Sequence, residues 1–189
     1  MAHPRSASFR TADMVGLDTF GHVAKNCYES LVDDEERDVF KLPAFVETML
    51  EKKLLGDKTK GGFYKKDGKN KLTFDYKTLD YRPEGGDEAI KQATKALSKI
   101  ESPVERLKKT VASEGTIGRF AWKLLTRSLA YSARRIPEIC DSVVAIDDAM
   151  KWGYNWELGP FEMWDALGVP ATVERLKQEG RAVPALVRD

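Results

Sequence analysis

The chain has 189 residues, 31 Lys and Arg against 30 Asp and Glu, and 42% hydrophobic residues. That length suits one domain, or two small ones, with a sizeable core. A net charge of +1 asks for neither nucleic acid nor an anionic membrane, no apolar run reaches membrane-spanning length, and the polar N-terminus is not a signal peptide.

In chain order, a short helix is expected over 9–15, ended by Gly16. A second runs over 17–31, with Asp18 or Thr19 able to cap it and Phe20, Val23, Ala24, Cys27 and Leu31 on one face. Asp33-Asp34-Glu35-Glu36 reads as a solvated acidic turn. Pro43 opens a third helix with Phe45, Val46, Met49, Leu50 and Leu54 as its stripe, and Gly56 ends it. The texture then changes. Asp67-Gly68 between β-prone segments signals a hairpin, and two or three short strands are expected from Phe63 to Tyr81. Arg82-Pro83-Glu84-Gly85-Gly86 is a flexible link.

Helix returns over 88–100. Ser102-Pro103-Val104-Glu105 is a capping box with proline at the first helical position, opening a helix to about Ser113. The longest helix is expected over 117–136, with Phe120, Ala121, Leu124, Leu125, Ser128, Leu129 and Ser132 inward. Another covers 143–152, where Gly153 can end it. Gly159-Pro160 starts the next, with Phe161, Trp164 and Leu167 on one stripe. The last complete helix is expected over 172–180. Cys27 and Cys140 form no CxxC and read as reduced thiols of a cytoplasmic protein. No metal-ligand pattern is present.

The chain also repeats itself. Phe9, Asp13 and Gly16 fall under Phe161, Asp165 and Gly168 when 8–17 is set below 160–169. Pro43-Ala44-Phe45-Val46 then echoes Pro184-Ala185-Leu186-Val187. Two ordered landmarks favour one helical module used twice.

These motifs resemble the C-terminal, all-helical domain of 3-hydroxyacyl-CoA dehydrogenases. The family pattern A-M-K-x-G followed by G-P-F-E-L-x-D-x-x-G is matched by Ala149-Met150-Lys151-Trp152-Gly153 and by the residues from Gly159 to Gly168. Its D-x-V-G-L-D-T is similar to Asp13-Met14-Val15-Gly16-Leu17-Asp18-Thr19. Its G-x-K-T-G-x-G-F-Y is similar to the residues from Gly56 to Tyr64. The resemblance implies a mainly α chain: a first helical module over 1–65, truncated at its N-terminus, a hairpin and helical connector over 66–115, and a second, degenerate module over 116–189, truncated at its C-terminus. The expectation is a segment cut from a longer, multidomain enzyme of fatty-acid β-oxidation.

The resemblance further implies an acyl-CoA substrate and hydride transfer to NAD, with the base, a His paired with a Glu, in an NAD-binding domain. This chain has no Gly-rich turn opening a βαβ unit. His3 and His22 read as bystanders. The family's substrate-orienting Asn is missing from Gly118-Arg119-Phe120-Ala121. No catalytic residue is therefore assigned to this chain, and the segment alone is expected to be inactive. Phe9, Lys58 and Phe161 are the candidate substrate-binding residues. The lysines from Lys58 to Lys71 offer point charges to CoA phosphates, or simply keep a hairpin edge solvated. The aromatics Trp152, Tyr154, Trp156, Phe161 and Trp164 read as core packing between the modules. Expected partners are the NAD-binding domain, an enoyl-CoA hydratase domain, and either a second chain or an intramolecular pseudo-dimer. A non-catalytic helical scaffold is the alternative.

Overall fold

The computed structural model describes residues 8–188, so His3 lies outside the described residues. They form two compact units, 8–86 and 87–188. The break falls at the Gly85-Gly86 link.

The N-terminal unit begins with α1 (Ser8–Val15) and α2 (Leu17–Ser30). A 3-10 turn, Arg37–Phe40, leads to α3 (Ala44–Glu51), and a second, Asp57–Thr59, leads to the sheet. Strands β1 (Tyr64–Asp67), β2 (Asn70–Asp75) and β3 (Asp80–Pro83) form an antiparallel meander in the order β1-β2-β3. Asp67 pairs with Asn70, so the two-residue connection is Gly68-Lys69, one position beyond the Asp67-Gly68 pair the sequence signal centres, with Gly68 at the first central position and at positive φ. The core is thin. Leu17, Met49 and Phe74 are buried, and Ala12, Phe45, Leu54, Phe63 and Tyr81 pack half-buried around them.

Two helix ends here differ from the expected ones. Neither Asp18 nor Thr19 caps α2; Gly16 is the N-cap residue, and the Asp18 carboxylate turns to Lys58. Helix α3 stops before Gly56. Lys53 takes the left-handed conformation, and the Leu54 N–H donates to the Met49 carbonyl. That closure satisfies a carbonyl the helix would otherwise orphan.

The C-terminal unit holds α4 (Glu88–Ser98), α5 (Pro103–Ala112), α6 (Gly115–Arg134), α7 (Val143–Tyr154), α8 (Pro160–Leu167) and α9 (Val169–Gln178). Asp87 caps α4 through its side chain, and Ser102 caps α5. One cluster forms the core: Leu107 of α5, Trp122, Leu125 and Leu129 of α6, Phe161, Met163 and Trp164 of α8, and Val173 and Leu176 of α9. Helix α6 buries Ala121, Leu125 and Leu129 as expected, but Trp122 joins the core cluster while Phe120 is 63% exposed, and the Trp122 indole N–H donates to both Glu179 oxygens at 2.8 and 2.9 Å. Helix α7 runs through Gly153 and ends at Asn155, a residue that tolerates the left-handed conformation. The aromatic set therefore divides. Phe161 and Trp164 are buried, Trp156 is half-buried, and Trp152 and Tyr154 face solvent.

Helices α1 and α8 share local geometry. Each is eight residues long and ends at a glycine of positive φ, Gly16 at 99° and Gly168 at 87°. Each glycine is also the N-cap of the following helix. Its carbonyl accepts from Phe20 in one case and Thr172 in the other, both at 3.0 Å. Pro43 and Pro184 likewise precede short helical segments, with their carbonyls accepting from Val46 and Val187. No helix among the described residues is long and apolar enough to cross a membrane.

Candidate functional site

Helix α1 carries one residue that must be satisfied inside the fold. Asp13 is 1% exposed. Its two oxygens accept the backbone N–H groups of Phe63 at 2.7 Å and Tyr64 at 2.9 Å. A buried carboxylate is tolerable only with such partners. Burial still pushes the Asp13 carboxyl above the ordinary carboxylate range, against those two hydrogen bonds. The clasp needs glycine beside it: a methyl on Gly62 would overlap the Asp13 carboxylate. The Tyr81 hydroxyl donates to the Gly62 carbonyl at 2.8 Å and fixes the same turn from β3.

The clasp sets Phe63 against Phe9. Their rings lie 4.6 Å apart, centroid to centroid. Beside them opens an apolar cavity of about 480 Å³, lined among others by Phe9, Ala12, Phe20, Val23, Phe45 and Phe63. Its walls come from α1, α2, the segment 39–43, α3 and the turn before β1. Phe9 stays 55% exposed and Phe20 47% exposed, so the cavity is an open groove. A concave, largely apolar groove of this size matches a flexible hydrocarbon or thioester chain better than a polar ligand.

Two ion pairs hold the turn that follows α3 onto the first two helices. Arg10 grips Asp57 with two parallel bonds of 2.5 and 2.7 Å. Lys58 meets both Asp18 oxygens at 2.5 Å. The Lys58 ammonium holds the Asp18 carboxyl below its usual range. Of the sequence candidates, Phe9 thus lines the groove, and Lys58 is engaged by Asp18. Phe161 lies in the other unit and is 8% exposed, inside the core. His22 is exposed on α2.

The C-terminal unit repeats the clasp. Asp147 of α7, 5% exposed, accepts from the Phe161 and Glu162 N–H groups at 2.8 and 3.1 Å. It thereby serves the first turn of α8, where N–H groups lack partners. A methyl on Gly159 would overlap Asp147. Glu162 accepts from the Gly159 N–H at 2.8 Å and from Lys151 Nζ at 2.6 Å. The ion pair with Lys151 holds the Glu162 carboxyl low, while burial pushes the Asp147 carboxyl up. Sequence reasoning gave neither Asp13 nor Asp147 this part. In the N-terminal unit the partner is 50 residues away, and no local spacing announces it.

Residues 2–66 match the model of the 3-hydroxyacyl-CoA dehydrogenase C-terminal domain family. Over its whole length the chain is 43% identical to a probable 3-hydroxyacyl-CoA dehydrogenase of Bacillus subtilis, of which it covers 24%. Over 165 residues, 85% of the chain, it is 27% identical to a putative fatty acid oxidation complex trifunctional enzyme of Rickettsia felis, covering 21% of that protein. A probable 3-hydroxyacyl-CoA dehydrogenase of Deinococcus radiodurans is 46% identical over 61 residues, 32% of the chain and 17% of the relative. The chain spans about a quarter of these relatives' length, or less. Residues 2–66 thus match the C-terminal-domain segment of the 3-hydroxyacyl-CoA dehydrogenases, and the chain as a whole is similar to part of a relative so named, an oxidoreductase.

Proposed function

We propose that this chain is the part of an NAD-dependent 3-hydroxyacyl-CoA dehydrogenase of fatty-acid β-oxidation that walls the acyl-CoA cleft and supplies a dimer-like interdomain interface. The observation that carries the reading is the open apolar groove beside the Phe9–Phe63 ring pair. In this reading Phe9 and Phe63 receive the acyl chain and exclude water from it. Lys58, tied to Asp18, fixes the groove's supporting turn, and Phe161 supports the second module from its core.

The described strands form an antiparallel meander, with no parallel βαβ unit to seat a dinucleotide's diphosphate on a helix N-terminus. These residues therefore do not fit NAD, and no step of hydride transfer is assigned to them. The nicotinamide cofactor and the base come from another domain, and the segment is inactive without it. The name carried by the Rickettsia relative, a fatty acid oxidation complex trifunctional enzyme, supports a parent with further activities; in this reading an enoyl-CoA hydratase domain is one of them. The shared geometry of α1 and α8, with their positive-φ glycines, supports two copies of one module. A cytoplasmic setting agrees with two free, half-buried thiols, Cys27 and Cys140.

Calorimetric titration of this chain with acetoacetyl-CoA, a longer acyl-CoA and NADH tests the reading. Binding that strengthens with acyl length, weakens in Phe9→Ala and is absent for NADH is expected. Acyl-CoA thioesters that fail to bind a folded chain would overturn the groove assignment. That outcome favours the second reading, a helical docking module, for which the 81% exposure of Trp152 speaks.

A further inference from the structure

A second cavity in the N-terminal unit, about 650 Å³, is lined by Arg10, Asp57, Lys60, Tyr64, Lys65, Lys66 and Lys71. Five cations face one carboxylate. They converge from α1, from the turn after α3, and from β1 and β2. The stretch from 58 to 71 holds six lysines and one aspartate, in a chain whose net charge is only +1. Lys66 and Lys71 sit directly opposite each other on β1 and β2. Like charges in that position destabilise a sheet. Lys71 is partly offset by Glu84 at 3.0 Å and lies 4.7 Å over the Tyr64 ring. Among the described residues, neither Lys60 nor Lys66 has a carboxylate at ion-pair distance.

Because β1 is a sheet edge, lysines there discourage pairing with another chain. Edge protection does not require Arg10 and Lys60, from other elements, to converge on the same hollow. From this convergence we propose that the cleft is a binding site for a small molecule bearing two or more phosphate groups. Arg10, held flat by Asp57, frames one wall. The mobile ammonium groups of Lys60, Lys66 and Lys71 act as point charges on phosphate oxygens. The Tyr64 ring forms a flat, apolar part of the wall. The inference rests on the acyl-CoA reading for one source of such phosphates, the nucleotide end of CoA. Free polyphosphate is the other.

The test titrates the full chain, at about 50 mM and about 200 mM salt, with free CoA and with inorganic pyrophosphate. Free CoA has no acyl group, so the apolar groove does not contribute. Binding that weakens with salt is expected, and Lys66→Glu should weaken it about tenfold or more. Lys25→Glu, an equal charge change on α2, should leave it unchanged, and circular dichroism should show both variants folded. CoA and pyrophosphate both binding supports the cleft with CoA as a source. Pyrophosphate binding alone supports the cleft and removes the link to CoA. Neither ligand binding at low salt, or Lys25→Glu weakening binding as much as Lys66→Glu, overturns the proposal. Acyl-length dependence in the separate acyl-CoA titration reads the groove independently.

Discussion

Helices α1 and α8 are the same local object in opposite surroundings. Both are eight residues long, both hand over to the next helix through a positive-φ glycine, and both belong to a unit held by a buried aspartate. Yet Phe161 is 8% exposed and its counterpart Phe9 is 55% exposed. The difference lies in what packs against them. Helix α8 lies against α5, α6 and α9, and Trp122, Leu125 and Leu129 join its face in one cluster. Helix α1 packs on α2 and the Asp57–Thr59 turn, with Phe63 against Phe9, and leaves an apolar groove. A short helix of this geometry therefore fills a core or borders an open groove, depending on whether a long helix covers it.

Truncating the two phenylalanines is the sharpest way to break this comparison. Phe161→Ala removes a core ring and should cost about 3–5 kcal/mol, whereas Phe9→Ala should cost less than about 1 kcal/mol. All four tryptophans, Trp122, Trp152, Trp156 and Trp164, lie in the C-terminal unit. Urea unfolding followed by tryptophan fluorescence then reads Phe161→Ala, hydrogen exchange at the Phe63 and Tyr64 amides reads Phe9→Ala, and the first should shift strongly while the second shifts little. Equal shifts would mean that the two helices are not in different environments.

The buried aspartates should behave alike where the phenylalanines differ. Asp147→Asn and Asp13→Asn each leave one buried N–H facing an amide NH2 instead of an oxygen. The expected cost is about 1–3 kcal/mol, in the unit that carries the change. Tryptophan fluorescence reads the first, and hydrogen exchange at the Phe63 and Tyr64 amides reads the second. Loss in only one unit would show that the clasps are not equivalent.

Their pH dependence follows from the direction of the shifts. Burial raises both carboxyl pKa values above the ordinary aspartate range. A carboxyl with a raised folded pKa adds stability that is full below the unfolded value and fades as pH rises through the folded one. The gap in unfolding midpoint between wild type and each Asn variant should therefore widen as pH falls from neutrality toward 4, with the asparagine variants as the flat reference. A gap that narrows on acidification would mean that the two backbone donors outweigh burial. Glu162, held low by Lys151, works in the opposite sense and weakens the C-terminal unit as acid protonates it. Smallest of all should be the effect of Lys58→Met. Its partner Asp18 lies on an exposed surface, and no change in unfolding midpoint is expected.

Much of this was legible in the chain itself. The Ser102 cap, the proline start of α8, the hairpin turn at Gly68 and the glycine ends at Gly16 and Gly168 are local signals, decided within a few residues. Their order also carried the family resemblance. Helix ends at Lys53 and Asn155 were missed because non-glycine residues reach the left-handed conformation only when neighbouring hydrogen bonds repay it. The face of α6 was misjudged because Phe120 and Trp122 are equally apolar as letters. What turns Trp122 inward comes from far along the chain: the α8 and α9 residues of its core cluster and Glu179, 57 residues on.

The sequence by itself determined where most elements begin, which residue types line each stripe, and the family the segment resembles, because propensity, capping and turn chemistry act over short distances. Tertiary structure alone decided that Asp13 and Asp147 are buried clasps, that Phe9 borders a groove while Phe161 fills a core, and that Arg10 joins the hairpin lysines around one hollow. Burial and electrostatic convergence depend on which segments meet in space, and the Asp13 clasp joins residues 50 positions apart.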